Sequence, residues 1–236
     1  MPDDAHQDAP AAPVPSDLPT IEIHARPLGD YQTNCYLVAE REDTSGDAPR
    51  RGWLIDCGQT PAPLLDLVES LGVTLEAIVL THAHPDHMAG LFEARSRFAG
   101  VPIWIHADEG DWLTDPMKNL SGLMGVPVTG PGPDRLLKHG ESLDLPGGPW
   151  EIRHTPGHSP GGITLYSETL GVAFVGDALF NGSIGRTDFP SSDHGALERS
   201  IREQLYTLPN DTRVLPGHGP DTTVGAERLS NPFVRG

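Results

Sequence analysis

Apolar and polar residues alternate in short blocks from Thr20 onwards, and these blocks predict strands interleaved with helices. In the first half, apolar runs predict strands over residues 21–28, 34–40, 52–58, 77–81 and 101–106. A helix is predicted after Thr60, the expected N-cap, with Pro61 as its first residue and Gly72 as its stop. A second helix is predicted from about Met88 to Phe98.

The second half of the chain repeats this alternation. Strands are predicted over residues 150–155, 162–168, 171–177 and 212–218. A helix is predicted from about Gly195 to Tyr206, because Leu197, Ile201 and Leu205 recur at every fourth position. Strands and helices in two similar halves predict an α/β fold in which two sheets pack face to face with helices outside.

The segment from Leu113 to Lys138 departs from this pattern. It is rich in Gly and Pro, and it carries the apolar residues Met117, Leu120, Leu123 and Met124. Long irregular segments with apolar tips occur both as ordinary surface excursions and as active-site lids. The sequence leaves both interpretations open, and it leaves the role of residues 114–135 undetermined.

The length of 236 residues allows one sizeable domain with a real core. Residues 1–19 are rich in Pro, Ala and Asp and predict a disordered tail, so the domain is expected over residues 20–236. The tail lacks the basic and apolar parts of a signal peptide, and no segment approaches the ~18–20 apolar residues of a membrane span. Cys35 and Cys57 are expected to be buried free thiols, which favours a cytoplasmic location.

The charge of the chain narrows the range of partners. With 33 acidic and 16 basic residues, its formal net charge is −17, and Lys118 and Lys138 are its only lysines. Nucleic acids and anionic membranes are bound by clustered positive charge, so neither is expected as a partner. The sequence leaves the oligomeric state open.

The strongest chemical signal is AIVLTHAHPDHMAG at residues 77–90, where His82, His84, Asp86 and His87 crowd six positions after an apolar strand. Side chains of an extended segment repeat every two residues, so His82 and His84 would point the same way. Imidazole nitrogens and carboxylate oxygens bind Zn²⁺ at about 2.0–2.2 Å. A single zinc site takes four ligands, so six or seven ligands would imply two metal ions.

Further candidate ligands stand at the ends of later strands. His158, Asp177 and His218 each come shortly after an apolar run, as His82 does. Residues at the ends of strands of one sheet system can converge in space, and neighbouring Gly and Pro residues allow the turns that direct them. These three residues are therefore the candidates to complete a metal centre.

Taken in order, these motifs resemble the metallo-β-lactamase superfamily and, within it, the glyoxalase II branch in its short bacterial form without the C-terminal helical domain. The matching segments are THAHPDH, TPGHSPGG, VGDALF, SIGRTDFP, LPGHGPDTTVGAER and NPFV. The resemblance extends from Ile21 to the C-terminus. It implies an αββα four-layer sandwich of the metallo-β-lactamase type, with a dinuclear metal site at one edge of the paired sheets.

The resemblance also implies a role for each candidate ligand. One metal ion would be bound by His82, His84 and His158, and the other by Asp86, His87 and His218. Asp177 would bridge both ions, and Asp86 and Asp177 would be the carboxylates of the catalytic centre. Asp56 would support the ligands from behind. The implied cofactors are two divalent metal ions, zinc in the first place, with iron or manganese as alternatives.

The implied activity is hydrolysis of a small-molecule acyl-thiol ester such as S-lactoylglutathione by a hydroxide that bridges the metal ions. A thiolate leaving group, with a thiol pKa of about 8.5, needs little help from a general acid. The segment SIGRTDF also resembles persulfide dioxygenases of the superfamily, which use one iron held by two His and one Asp. Hydrolysis of lactones or β-lactams and a non-catalytic scaffold are further alternatives. Arg186 and Asp188 are expected either to form a structural ion pair or to contact substrate.

Overall fold

The computed structural model describes residues 21–41 and 49–236, which form two β-sheets between two layers of helices. The expected αββα sandwich is therefore confirmed. The predicted tail over residues 1–19 lies outside the described residues. The proposed extent of the domain, residues 20–236, stays a prediction.

The first sheet contains the strands of the N-terminal half. Its six strands, in spatial order, are β1 (Ile21–Leu28), β2 (Thr33–Glu40), β3 (Arg50–Ile55), β4 (Val73–Val79), β5 (Ile103–His106) and β6 (Arg135–Leu137). β1 to β3 are antiparallel neighbours, and β3 to β6 are parallel. The associated helices are α1 (Ala62–Ser70), α2 (Pro85–Met88) and α3 (Leu91–Arg97), followed by a 3₁₀ helix at Ala107–Thr114.

The second sheet contains most strands of the C-terminal half. The strands that follow β6 in the chain are β7 (Ser142–Leu143), β8 (Trp150–His154), β9 (Ile163–Ser167), β10 (Val172–Gly176), β11 (Leu179–Phe180), β12 (Ser183–Ile184), β13 (Arg213–Pro216) and β14 (Thr222–Thr223). Six of them form a sheet in the order β14-β13-β10-β9-β8-β7, while β11 and β12 form a separate hairpin. The helices are α4 (His194–Ser200) and α5 (Val224–Ser230). Among the described residues, none of the helices has the length and apolar character that crossing a membrane requires.

The core between the sheets contains a cluster of aromatic side chains among its aliphatic residues. Trp53 of the first sheet meets Trp150 of the second edge to face, with ring centroids 5.0 Å apart, and Phe174 packs against both. Both indole N–H groups donate to the carbonyl of Pro146, at 3.2 and 3.1 Å, so neither is left unpaired in the core. The outer faces are covered by α1 and α3 on one side and by α4 and α5 on the other.

Three helix boundaries differ from those predicted. Thr60 does not cap α1, because it has φ 50° and its hydroxyl donates to the carbonyl of Gln59, and Pro61 is the N-cap residue instead. The helix expected from Met88 to Phe98 is divided into α2 and α3 at Gly90, whose N–H donates to the carbonyl of Cys57. The last predicted helix begins at His194 and ends in a π-helical turn, Ile201–Leu205.

Candidate metal centre

The seven candidate ligands meet where strands of both sheets end. β8, β10 and β13 run in the same direction, since β9 is antiparallel to β8 and β10 and β13 is parallel to β10. Their carboxyl ends therefore lie at one edge of the second sheet, and they are followed by His158, Asp177 and His218. The segment after β4 and the short helix α2 supply the remaining four residues, which are His82, His84, Asp86 and His87.

The first half of the centre, here called the tri-His set, consists of His82, His84 and His158. Their facing nitrogens are close: Nε2 of His82 lies 3.1 Å from Nδ1 of His84, which lies 2.9 Å from Nε2 of His158. All three residues are buried, with exposed fractions of 1%, 4% and 7%.

The second half, here called the Asp-His set, consists of Asp86, His87 and His218. Oδ2 of Asp86 lies 3.4 Å from Nε2 of His87 and 3.2 Å from Nε2 of His218. Asp177 lies between the two sets, with Oδ2 3.5 Å from Nε2 of His158 and 3.3 Å from Nε2 of His218. Asp177 therefore lies within reach of both sets, and its role as a bridge between two ions stays a prediction.

Acceptors outside the centre orient four of the imidazole rings. His158 donates from Nδ1 to the carbonyl of Arg186 at 2.9 Å, and His218 donates from Nδ1 to the carbonyl of Tyr31 at 3.2 Å. Nδ1 of His87 donates to Oδ2 of Asp56 at 2.8 Å. In a neutral ring, these hydrogen bonds place the proton on Nδ1 and leave the lone pair of Nε2 directed into the centre.

The fourth of these rings, His82, is oriented through a threonine. The hydroxyl of Thr81 donates to Asp56 at 2.8 Å, so its oxygen is free to accept from Nδ1 of His82 at 3.1 Å. Asp56 also accepts the backbone N–H of Thr81 at 2.8 Å. One buried carboxylate therefore orients a histidine in each half of the centre, as the resemblance implied for Asp56.

The buried polar atoms of the centre fit divalent cations. Nε2 of His87 and Oδ1 of Asp177 are buried 3.4 Å apart, and neither has a hydrogen-bond partner among the described residues. A Cβ atom on Gly217 would collide with Oδ1 of Asp177 and approach the ring of His87, so the backbone here leaves room only for glycine. A buried imidazole nitrogen that faces a carboxylate oxygen, with no other hydrogen-bond partner for either atom, is an arrangement that a bound cation accommodates.

Burial and charge keep the tri-His set neutral. Burial lowers the pKa of His82, and the neighbouring His87 and His84 lower it further. Burial and the adjacent His158 lower the pKa of His84 to about 3. Burial also lowers the pKa of His158, although Asp177 opposes the shift. These rings are therefore neutral at neutral pH, and in His82 and His158 the hydrogen bonds of Nδ1 leave the lone pair on Nε2.

In the Asp-His set, neighbouring carboxylates shift the pKa values of the histidines in the opposite direction. Burial lowers the pKa of His87, but Asp86 and Asp177 outweigh it and raise the value well above normal. Burial also lowers the pKa of His218, but hydrogen bonds to Asp177 and Asp86 raise it to about 9. Without metal, this half therefore holds protons between its imidazoles and carboxylates.

A cavity of about 210 Å³ opens beside the centre. One wall consists of the candidate ligands His84, Asp86, His158, Asp177 and His218. The rest is mainly apolar and is formed by Tyr31, Pro85, Leu120, Met124, Phe180 and Phe189, together with the charged Arg186. The cavity therefore combines a polar reactive wall with an apolar wall that can hold the rest of a small substrate.

The segment 113–138 contributes to this cavity through Leu120 and Met124. Asn119 is buried and holds the segment together, because its amide donates to the carbonyls of Trp112 and Val128 while its oxygen accepts from Ser121. Its own hydrogen bonds therefore hold the segment in place as one wall of the cavity. Its role as a moving lid stays a prediction.

Other charged and titratable groups lie beside the centre or away from it. Arg186 and Asp188 form a two-point ion pair at 2.9 and 2.8 Å at the cavity mouth, with both side chains exposed. His106, Asp108 and His154 form another cluster with potential ligand atoms within 4.8 Å of one another. However, Nε2 of His154 donates to the carbonyl of Pro160 at 2.8 Å, and Nδ1 of His106 accepts the N–H of Asp108, so both nitrogens are already engaged.

Sequence reasoning did not single out several residues that shape the centre. Thr81, Tyr31 and Gly217 orient or make room for ligands, and Thr33 donates its hydroxyl to Oδ2 of Asp86 at 2.9 Å. The motif LPGHGP contained a signal for Gly217, because glycine next to a candidate ligand indicates close approach of the backbone. Tyr31 acts through its carbonyl, so its side chain carried no signal.

Comparison with known proteins assigns the family. The family described as the Metallo-beta-lactamase superfamily matches residues 28–218, and the chain belongs to this family. Its relatives include the probable metallo-hydrolase YqgX of Bacillus subtilis, 37% identical over 213 residues, covering 89% of this chain and 96% of YqgX. The hydroxyacylglutathione hydrolase GloC of Haemophilus influenzae is 37% identical over 216 residues, covering 91% of this chain and 98% of GloC. Membership of this metallo-hydrolase superfamily supports an enzyme with metal sites.

Solved structures give the same result for the fold. The BLEG-1 B3 metallo-beta-lactamase superimposes with a TM-score of 0.83 at 38% identity, covering 91% of this chain and all (100%) of BLEG-1. The di-iron-bound form of TTHA1623 has a TM-score of 0.76 at 36% identity, with coverage of 89% and 100%. ETHE1 from Myxococcus xanthus has a TM-score of 0.67 at 25% identity, with coverage of 89% and 83%. The di-iron form shows that family membership alone does not select zinc.

Proposed function

We propose that this protein is a dinuclear metallohydrolase of small acyl-thiol esters, with S-lactoylglutathione as the reference substrate. The observation that carries the proposal is the cavity in which candidate metal ligands face an apolar wall. The similarity to the GloC hydroxyacylglutathione hydrolase supports the thioester class. Location in the cytoplasm, zinc as the native metal and the absence of macromolecular partners are parts of the same proposal.

The tri-His set would hold one divalent ion, the Asp-His set would hold the other, and Asp177 would contact both. Such ions lower the pKa of bound water toward ~7 and polarise a carbonyl, which is the chemistry that thioester hydrolysis needs at neutral pH. Asp56 keeps the rings of His82 and His87 oriented, through Thr81 in the first case. The apolar residues Leu120, Met124 and Phe189 would exclude bulk water from the bound substrate.

The test begins with metal stoichiometry. Protein supplied with Zn²⁺, Mn²⁺ or Fe²⁺ and freed of excess metal should contain close to two ions per chain, because two sets of ligand atoms are present. Each loaded form is then assayed with S-lactoylglutathione. Two ions per chain with thioester hydrolysis support the proposal, while one ion per chain in every preparation contradicts its dinuclear part.

The same metal-loaded preparations test two alternative activities. Persulfide oxidation is supported by the resemblance of SIGRTDF and by the structural similarity to ETHE1, and it would show one iron per chain and oxygen consumption with glutathione persulfide. β-Lactam hydrolysis is supported by the similarity to BLEG-1, and a chromogenic β-lactam would report it. Either activity exceeding thioester hydrolysis by a hundredfold in kcat/KM would replace the proposed substrate.

A further inference from the structure

Glu109 is a fully buried carboxylate with no assigned role, and it stands behind the tri-His set. It belongs to the 3₁₀ helix Ala107–Thr114, and its exposed fraction is 0%. Oε2 accepts the backbone N–H of Ala83 at 2.6 Å, and Oε1 accepts the backbone N–H of Gly161 at 2.7 Å. Both oxygens are therefore used for backbone contacts, each with a different chain segment.

The two segments are those that carry the tri-His set. Ala83 lies between His82 and His84, and Gly161 lies in the turn that follows His158. His84 and His158 are 74 residues apart in the sequence, so no local structure fixes the distance between them. A single side chain, anchored in a third segment, joins these two segments at a fixed separation.

The free-energy cost of burying the Glu109 side chain indicates that its hydrogen bonds have a specific structural role. A carboxylate removed from water loses its solvation, which is costly unless hydrogen bonds replace it. Burial raises the pKa of Glu109, and the side chain of Ser159 and the N–H groups of Gly161 and Ala83 oppose that rise. Glu109 and Gly161 are tightly packed against each other, because a Cβ atom on Gly161 would lie 2.8 Å from Cγ of Glu109. An apolar side chain could fill the space but could not hold two N–H groups.

We propose that Glu109 is a positioning residue that fixes the spacing of the tri-His set before metal binds. This inference rests on the metal centre of the proposed function, although not on its substrate. The Asp-His set depends on other contacts, namely those of Thr33, Asp56 and Tyr31. Loss of the Glu109 carboxylate should therefore weaken one of the two metal sites and leave the other nearly unchanged.

Glu227 provides a matched control. It is also a buried glutamate, 3% exposed, and its oxygens accept from the backbone N–H of Gly182 at 3.0 Å and from the hydroxyl of Thr222 at 2.7 Å. It additionally accepts from the amide of Asn231 at 2.8 Å. None of these partners lies in the segments of the tri-His set, so Glu227→Gln reproduces the general cost of altering a buried carboxylate.

The experiment compares Zn²⁺ binding to the metal-free wild type, Glu109→Gln and Glu227→Gln, measured by competition with a chromophoric chelator. His158→Ala and His218→Ala identify which binding step belongs to which half. In Glu109→Gln, the step that His158→Ala removes should weaken by about 10- to 100-fold, the range found for groups that support metal ligands. Hydrogen exchange of the Ala83 and Gly161 amides in the metal-free protein should also accelerate in this variant.

Unchanged Zn²⁺ affinity in Glu109→Gln, or an equal loss in Glu227→Gln, would overturn the proposal. If Glu109→Gln does not fold, Gly161→Ala tests the same link from its other end, with the same expected loss. A wild type that binds two Zn²⁺ ions but does not hydrolyse thioesters would refute the proposed substrate and leave this comparison of affinities valid.

Discussion

The two halves of the candidate metal centre hold similar side chains in opposite electrostatic states. In the tri-His set, burial lowers the pKa of every ring, and the rings are neutral at neutral pH. In the Asp-His set, carboxylates outweigh burial and raise the pKa of both rings. The second half is also more open, since the His218 side chain is 29% exposed and that of Asp86 17%.

The difference teaches that burial alone does not define a metal ligand. A neutral imidazole can accept a cation directly, whereas a protonated imidazole must first release its proton. The tri-His set is therefore ready for metal, and the Asp-His set exchanges protons for metal. Asp177 connects the two states because its Oδ2 lies near a ring of each set.

The largest effect is expected from removing the residue that the two halves share. Asp177→Ala should reduce thioester hydrolysis at least about 100-fold, or roughly 2.7 kcal/mol, while leaving the fold largely intact. Steady-state kinetics of the metal-loaded protein measure this loss. Asp221→Ala, which removes an exposed carboxylate paired with Arg213, is the control and should have little effect. More than a tenth of wild-type turnover in Asp177→Ala would show that the bridging assignment is wrong.

A methyl group placed at the junction of the halves should disturb both. In Gly217→Ala, the new Cβ would meet Asp177 and His87, and overpacking of this kind costs about 1–3 kcal/mol. We expect a lower Tm in the metal-free protein and a reduced Zn²⁺ content after loading. Gly132→Ala is the matched control, because a Cβ there meets nothing within 4 Å. Equal melting temperatures for the two variants would show that the space beside Asp177 is not limiting.

The protonated state of the Asp-His set predicts a pH dependence in the metal-free protein. The folded pKa of His218 is about 9, against an ordinary value of 6.5, so protonation stabilises the fold. This contribution is fully present below pH 6.5 and is lost as the pH rises through 9. The difference in unfolding free energy between wild type and His218→Gln should shrink by on the order of 2 kcal/mol between these limits. Denaturant unfolding measures it, and a difference that grows with pH would contradict the assignment.

The smallest effect is expected from changing the thiol portion of the substrate, which would be bound away from the metal centre. Among the described residues that line the cavity, Arg186 is the permanent cation, and it is exposed and already paired with Asp188. We expect kcat/KM for S-lactoylglutathione to lie within about tenfold, near 1.4 kcal/mol, of that for a lactoyl ester of a small uncharged thiol. KM should lie toward the upper end of the usual ~1 μM–1 mM range. A thousandfold preference for glutathione would reveal a thiol site beyond the cavity walls described above.

The sequence by itself predicted the layers of the fold and the identity of the candidate ligands. Apolar strands and amphipathic helices follow from local periodicity, and His82 to His87 form a cluster that is visible without any structure. Linking this cluster to His158, Asp177 and His218 required the strand-end pattern and the family resemblance. Helix boundaries were less accurate at Thr60 and Gly90, because contacts with Gln59 and Cys57 decided them.

Tertiary structure alone decided which groups support the ligands. His218 is held by the carbonyl of Tyr31, 187 residues away, and Glu109 joins segments on either side of it in the chain. Such pairs depend on the register of the sheets and on how the loops at their ends meet, and a one-residue shift would reverse the faces of a strand. Residue types and spacing determine what a segment can do locally, whereas the distance between two segments is fixed only when the whole chain has packed.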